Sequence, residues 1–354
     1  MSKFLSYIHV LRGIAIIYVV GVHVRGGVID WTSHPSLNYF FSSLLDSYEG
    51  NGTVMFIFIA GFLFQHLTQH HFDFKKYLAQ KFKMIILPYV IISIPIILFR
   101  IYDNFSSPTL PEDFQQHSPV YQFFYHLFVG SHLAPFWFIS AIIVFYMTSP
   151  IFRAVDNAWF FRYIFPVILV AGMFTFRSLH NGNPLLSYVH FVPVYLLGMW
   201  ASRNKAMLLT HDLLGFWTLF IVYMSITIAD VSGAINLPDK ISFEEVIDNG
   251  LLLFNVYIFR AIILCLMFLF LLYRFRYIRM PFLETLADYS FGIFFIHFIL
   301  IAVTRKIFSI MHITVDFNVV TFLSYFTIVL LLSTIVVFVI KKLTGRFSRN
   351  LIGS

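Results

Sequence analysis

The chain has 354 residues, of which 59% are hydrophobic and only 12% are charged. Soluble globular proteins carry about 25% charged residues, so this composition excludes an ordinary soluble enzyme and predicts a membrane protein. The net charge of +7 does not indicate nucleic-acid binding, because the basic residues lie between apolar segments rather than on one basic face. No long polar linker divides the chain, and we predict a single membrane-embedded domain over residues 1–354 with no soluble domain.

Apolar runs of about 20 residues recur along the chain, and this is the length that an α-helix needs to cross a bilayer. They predict an all-α integral membrane protein, built as a bundle of about ten transmembrane helices. The predicted spans are residues 7–25, 52–68, 84–102, 134–152, 160–178, 187–203, 213–231, 251–273, 290–310 and 317–340. Prolines inside several spans predict kinks rather than helix ends, because neighbouring helices can satisfy the freed carbonyl groups.

The distribution of charge predicts how the bundle is oriented. Basic clusters at residues 75–83, 274–279 and 341–349 fall in alternate connections between spans, so the positive-inside rule places both termini in the cytoplasm. The two longest connections on the other side are acidic, at residues 103–113 and 230–248. Their charges are explained by simple solvation or by contact with a polar partner outside the cell.

The first span contains two ionisable residues, Arg12 and His23, eleven positions apart. At about 100° per residue this spacing puts both side chains on one helix face, separated by a rise of about 16 Å. Arg12 either snorkels to the inner headgroups or is a fixed cation that binds a phosphate or stabilises developing negative charge. His23 is either a hydrogen-bonded interfacial residue or a general base. Their shared face favours function, since snorkelling does not require the alignment.

Other polar residues in the spans have two interpretations each. His297, in the middle of the ninth span, is a core histidine or lines a cavity for substrate. Trp137, at the outer start of the fourth span, belongs to the interfacial aromatic belt or contacts the substrate. We expect Arg260 to be paired or to snorkel outward, and His9 to lie near the inner interface.

A basic cluster precedes the third span, and its members are Lys75, Lys76, Lys81 and Lys83. It follows from the positive-inside rule, or it forms a cradle for a phosphorylated cofactor. No phosphate loop, dinucleotide turn or serine elbow is present in the sequence. His70 and His71 are adjacent rather than helically spaced, so we predict no metal site.

Several segments together resemble the membrane acyltransferase-3 family of bacterial O-acyltransferases. The family's arginine, ten residues and a histidine on the first helix are matched by Arg12 and His23. Further matches, in the family's order, are GTVMFIFIAGFLF, KFKMIILPY, PFWFISAIIVFYMTSPIF and DYSFGIFFIHFIL. The resemblance implies ten core helices, an acyl-CoA donor reached from the cytoplasm, most often acetyl-CoA, and usually a glycan acceptor. It also implies a multi-pass protein of the bacterial inner membrane.

The chain departs from the family pattern at two places. Many members have serine where this chain has Ala60, and many have paired arginines where it has Gln80 and Lys83. The resemblance is closest to stand-alone members that acetylate enterobacterial common antigen, and extends to members linked to biofilm poly-N-acetylglucosamine.

Together these features predict an acyl-CoA-dependent O-acetyltransferase acting on a hydroxyl of a cell-surface glycan or lipid-linked saccharide. We expect His23 and Arg12 to be catalytic, Arg12, Lys81 and Lys83 to bind the donor, and His297 and Trp137 to bind substrate. A transient acyl-histidine is an alternative to direct transfer. The rival function is an exporter or flippase for a polysaccharide or lipid-linked sugar, although no inverted repeat is detected. A sensor or structural subunit would leave the alignment of Arg12 with His23 unexplained.

Overall fold

A computed structural model describes residues 5–25, 29–30, 51–107, 110–177, 182–232, 254–316 and 318–354. The chain is predominantly helical. Its α-helices are α1 (Ser6–Arg25), α2 (Asn51–Thr68), α3 (Phe74–Lys81), α4 (Leu87–Tyr102), α5 (Pro119–Val129), α6 (Trp137–Met147), α7 (Ser149–Ala154), α8 (Phe165–Gly172), α9 (Pro184–Arg203), α10 (Lys205–Leu208), α11 (Asp212–Val231), α12 (Val256–Arg274), α13 (Pro281–Ile310), α14 (Val319–Thr344) and α15 (Ser348–Ile352). Two short strands, β1 (Ile29–Asp30) and β2 (Val315–Asp316), pair in parallel.

The helices confirm the all-α membrane class. In the described part of the chain, eight helices are long and apolar enough to cross a membrane. The count is nine if the bent pair Pro119–Val129 and Ala134–Met147, which meets at 64°, is one span. The apolar helix over Phe160–Gly172 is shorter. The total of ten spans and the orientation of the termini therefore stay predictions. The predicted span limits at residues 178, 251 and 317, and the acidic residues 239–248, lie outside the described residues.

Helices α1 and α13 pack side by side and run in the same direction. Near the start of both helices, a Cβ at Gly13 would lie 2.2 Å from the Leu283 carbonyl oxygen, so this close approach requires glycine. Further along both helices, the rings of His23 and His297 are 5.1 Å apart. Strands β1 and β2, which follow the two helices, pair at Ile29 with Val315. The interface is therefore held at both ends, and both predicted histidines lie within it.

Helices α2 and α9 form a second close contact, and α2 also packs against α1 at Gly52 and Val19. Added Cβ atoms at Gly61 and Gly198 would lie 2.0 and 2.1 Å from the carbonyl oxygens of Tyr195 and Phe58, respectively. Small residues at such crossings let two helix backbones approach closely. The core of the bundle consists mainly of apolar residues from α1, α2, α9, α12 and α13.

Helices α11 and α14 lie at the periphery. Leu214, Ile221 and Ile228 repeat every seven residues along α11 and are exposed, as are Val320 and many other apolar residues of α14. Exposed apolar stripes of this length fit contact with lipid rather than water. The spans predicted there from sequence are thus supported by the exposure of their apolar residues as well as by length.

Four prolines lie inside or at the start of the described helices. Pro95 and Pro193 lie inside α4 and α9, and the kinks expected there stay a prediction. Pro88 and Pro166 each follow a π-helical turn, over Phe82–Ile86 and Phe160–Ile164. Such a turn accommodates a residue that lacks an N–H and crowds the preceding turn. The first of these turns lies between Lys81, at the end of α3, and the start of α4.

Candidate active site in the α1–α13 interface

His23 and His297 form a pair near the C-terminal end of α1, which we call the histidine pair. His297 Nε2 lies 3.3 Å from His23 Nδ1, and Phe298 packs edge-on against His23 at 5.5 Å. His297 is fully buried, whereas His23 is only partly buried. The structure therefore brings together two residues that are 274 positions apart in the sequence.

When both rings are neutral, backbone carbonyls decide which nitrogen carries the hydrogen. His23 Nδ1 lies 2.7 Å from the Val19 oxygen, and His297 Nδ1 lies 2.9 Å from the Ile293 oxygen. A carbonyl oxygen only accepts, so each Nδ1 carries a proton and donates it. His297 Nε2 is then an acceptor for the His23 Nδ1–H. His23 Nε2 keeps its lone pair and has no hydrogen-bond partner among the described residues, so it can accept a proton.

Arg12 lies at the other end of the same interface. Its Nη2 donates to the Ala287 carbonyl oxygen at 2.5 Å, while its Nε is buried without a hydrogen-bond partner in the described part of the chain. Because Arg12 contacts residue 287 of α13 and His23 contacts residue 297, the predicted polar face of α1 points to a single neighbouring helix. An unused donor on a buried guanidinium leaves capacity to bind an anionic or carbonyl group.

Lys81 and Lys83 have different surroundings, although both were predicted to bind the donor. The Lys81 Nζ lies 5.2 Å from the Tyr77 ring and 5.1 Å from the Tyr146 ring, in the range of cation–π contacts. Lys81 is also near enough to Arg12 for their charges to repel. Lys83 is exposed, as are Lys75 and Lys76. Of the predicted cradle, the structure thus brings only Lys81 towards Arg12.

Trp137 is connected to the histidine pair through other aromatic rings. Phe138 follows it in α6 and packs against Phe294 at 5.7 Å, and Phe294 lies 6.2 Å from His297. Trp137 itself stacks on Phe191 at 6.2 Å and lies 5.3 Å from the Arg177 guanidinium. Among the described residues, Trp137 is therefore linked to the histidine pair through Phe138 and Phe294 rather than by direct contact.

Sequence analysis missed several residues that surround the two cations. Tyr77 lies four positions before Lys81 in α3, a spacing that puts both side chains on one helix face and could have been recognised. Asp288 begins the segment DYSFGIFFIHFIL, but the sequence predicted no role for it. It lies 3.3 Å from His9 and attracts Arg12 electrostatically. Tyr146 comes from a distant segment and could be found only in three dimensions.

One further polar residue, Arg260, has one of the two environments that the sequence suggested. Arg260 is fully buried and pairs with Asp230 of α11, which confirms the expectation that it is paired. In the described residues no group of three or more histidine, cysteine, aspartate or glutamate side chains could hold a metal ion. Neither observation adds a reactive group to the interface between α1 and α13.

The fold and the site together indicate the class of protein. The described residues form a multi-pass helical membrane protein with two ionisable residues, Arg12 and His23, in one helix interface, and ionisable residues inside a membrane indicate a functional site. The family model described as "Acyltransferase domain" (Acyl_transf_3) matches residues 5–342. The chain therefore belongs to the acyltransferase-3 family and is a membrane acyltransferase. Comparisons with curated proteins and with solved structures gave no significant match.

Proposed function

We propose that this acyltransferase moves an acetyl group from acetyl-CoA to a hydroxyl of a cell-surface glycan or lipid-linked saccharide, in the bacterial cytoplasmic membrane. The observation that carries the proposal is the free lone pair of His23 Nε2, because transfer to a hydroxyl requires a base at that hydroxyl. The cations Arg12 and Lys81, at the opposite end of the interface, supply the charge that a phosphorylated donor requires.

In the proposed reaction the acceptor hydroxyl binds at His23. Nε2 takes the hydroxyl proton as the oxygen attacks the thioester carbonyl carbon. The new C–O bond forms, the C–S bond breaks, and the proton leaves with the coenzyme A thiolate. The imidazolium formed transiently on His23 keeps its Nδ1–H directed at the Val19 oxygen and at His297 Nε2. His297 therefore acts as a positioning residue for His23, rather than as the substrate contact first predicted.

Arg12 has a separate role in this proposal. The rise of about 16 Å between Arg12 and His23 exceeds the reach of a hydrogen bond, which is about 3 Å. One carbonyl cannot contact both side chains, so Arg12 binds a different part of the donor from the part that reacts at His23. An extended donor such as an acyl-CoA, whose pantetheine arm is long and flexible, fits a site with its two ends so far apart.

Trp137 is proposed to contact the acceptor. Its ring packs against Phe138, which in turn packs against Phe294 next to His297, and the Arg177 guanidinium lies 5.3 Å from the Trp137 ring. Aromatic rings with adjacent polar groups suit a saccharide, which presents both C–H surfaces and hydroxyls. This arrangement would place the acceptor next to His23 from the side of α6.

The test has two parts. The purified protein is titrated with acetyl-CoA, and surface glycans of cells with and without it are compared by mass spectrometry. Saturable acetyl-CoA binding and an acetyl mass increment that depends on the protein are expected. The increment must return with the wild type and not with His23→Ala at matched expression. No acetyl-CoA binding, together with loss of the whole glycan from the surface, would instead support the exporter or flippase.

A further inference from the structure

Two arginines share one buried carboxylate at the end of the bundle where Lys81 lies. Arg153 Nη1 lies 3.3 Å from Asp156 Oδ2, and Arg203 Nη1 lies 3.0 Å from Asp156 Oδ1. The Asp156 side chain is only 2% exposed, whereas those of Arg153 and Arg203 are 33% and 34% exposed. We call this group the arginine fork. Its charges do not balance, because two guanidinium groups face one carboxylate and one positive charge is left over.

The rest of the network holds the fork in place. Gln65 of α2 donates to Asp156 Oδ2 at 3.5 Å and accepts from Ser202 Oγ at 2.7 Å. Arg203 Nη1 also donates to the Asp156 carbonyl oxygen at 3.2 Å. Three helices, α2, α7 and α9, are joined at this point. Side chains held in this way lose little further conformational freedom when a ligand binds.

The fork retains donors for a ligand. Arg153 uses Nη1 for Asp156 and Nη2 for the Gln69 carbonyl oxygen, at 3.2 Å. Arg203 places its contacts with the described residues on Nη1, which leaves Nε and Nη2 available. A planar guanidinium with two adjacent N–H groups matches two oxygens of a phosphate group. The leftover positive charge and the free edge of Arg203 together favour such an anion.

The fork adjoins the proposed donor site. Gln69, which binds Arg153, begins the short connection at residues 69–73 that leads into α3 and Lys81. Aromatic contacts join the two places as well. Going from the fork to Lys81, the ring pairs are Phe152 with Tyr195 at 4.5 Å, Tyr195 with Phe64 at 6.1 Å, and Phe64 with Tyr77 at 5.6 Å.

We propose that the arginine fork binds a phosphate group in the nucleotide part of the acyl-CoA donor. Arg203 makes the main contact with this phosphate, and Asp156 orients the Arg203 guanidinium. The proposal rests on the acyl-CoA donor proposed above. In this arrangement the nucleotide lies at the surface on the fork, and the pantetheine arm passes Lys81 and Arg12 towards His23. The positive-inside rule alone would place arginines here but would not require a buried carboxylate between them.

The test measures the binding of CoA and dephospho-CoA, which lacks the 3′-phosphate, to the purified full chain in nanodiscs of neutral phosphatidylcholine. Arg203→Gln is expected to weaken CoA binding about tenfold to a hundredfold, the value of one charge-assisted contact. If the fork binds the 3′-phosphate, the variant also loses the preference for CoA over dephospho-CoA. If it binds the pyrophosphate, both ligands weaken by the same factor.

The matched control is Arg162→Gln, the same loss of charge at an exposed arginine outside the fork. It is expected to leave CoA binding unchanged. Arg203→Lys and Arg153→Gln serve if Arg203→Gln does not fold. Arg203→Lys is expected to recover only part of the affinity, because an ammonium group keeps the charge but lacks the two adjacent N–H groups of a planar guanidinium.

Two results would overturn the proposal in distinguishable ways. Wild-type CoA affinity in both Arg203→Gln and Arg153→Gln would overturn the fork alone and leave the donor proposal standing. No CoA binding by the wild type would overturn the acyl-CoA donor and the fork with it. If the variants differ from the wild type only in nanodiscs that contain phosphatidylglycerol, the fork binds lipid headgroups and the proposal is wrong.

Discussion

The two ends of the α1–α13 interface are built from different chemistry. At one end, each histidine is oriented by a carbonyl of its own helix, and the Nε2 lone pair of His23 has no partner among the described residues. At the other end, Arg12 is held by a carbonyl of the neighbouring helix, and within the same part of the chain its buried Nε–H has no acceptor. One end can therefore accept a proton and the other can bind an anion. In the proposed reaction, this difference would let a single helix face serve both the donor and the acceptor.

The proton-accepting end is expected to produce the largest effect. His23→Ala removes the only proposed base, so acyl transfer should fall by about 10² to 10⁴. Binding of the acyl donor should be nearly unchanged, because Arg12 and Lys81, the cations proposed to bind it, lie at the other end of the α1–α13 interface. Initial rates at matched expression and a CoA titration measure the two effects. His211→Ala is the control, since His211 is exposed and distant in sequence. Full activity in His23→Ala would contradict the proposed mechanism.

The anion-binding end should respond differently. Arg12→Lys keeps the charge but loses the planar donor pair, so we expect the KM for the donor to rise about tenfold to a hundredfold, with a smaller change in kcat. Arg162→Lys, at an exposed position, is the control and should behave as the wild type. A fall in kcat with unchanged KM would indicate instead that Arg12 acts on the reacting carbonyl.

His297 tests whether the histidine pair is a unit. His297→Ala removes one of the two acceptors of the His23 Nδ1–H and leaves the Val19 oxygen. It should lower kcat about tenfold, the value of one buried hydrogen bond, with little change in donor KM. His297→Gln offers an amide oxygen as an acceptor and should recover part of the rate. Equal losses in both variants would show that His297 matters only for packing.

The lysines give the smallest predicted effect and the sharpest contrast. Lys81→Gln should raise the donor KM up to about fivefold, as expected for a charge that is only partly shielded from solvent. Lys83→Gln should leave it unchanged, because Lys83 is exposed to solvent. Steady-state titrations of the donor measure both. Equal effects of the two substitutions would restore the cradle predicted from the sequence.

Sequence reasoning identified the interface from one side only. The predicted ninth span begins at residue 290, whereas α13 begins at Pro281. The shorter prediction excluded Leu283 and Ala287, which contact Gly13 and Arg12. Glu284 and Asp288 lowered the hydropathy of this stretch, so an apolar window could not recognise it as helix. Hydropathy alone therefore could not predict the contact between Arg12 and Ala287.

The sequence by itself determined the class of the protein, most of its helices and the polar face of α1. These features depend on composition and on periodicity within single segments, which are local properties. Only the tertiary structure decided that His297 lies against His23, that Lys81 faces inward while Lys83 does not, and that Arg153 and Arg203 share Asp156. Those facts depend on which helices become neighbours, and packing between distant segments sets that choice.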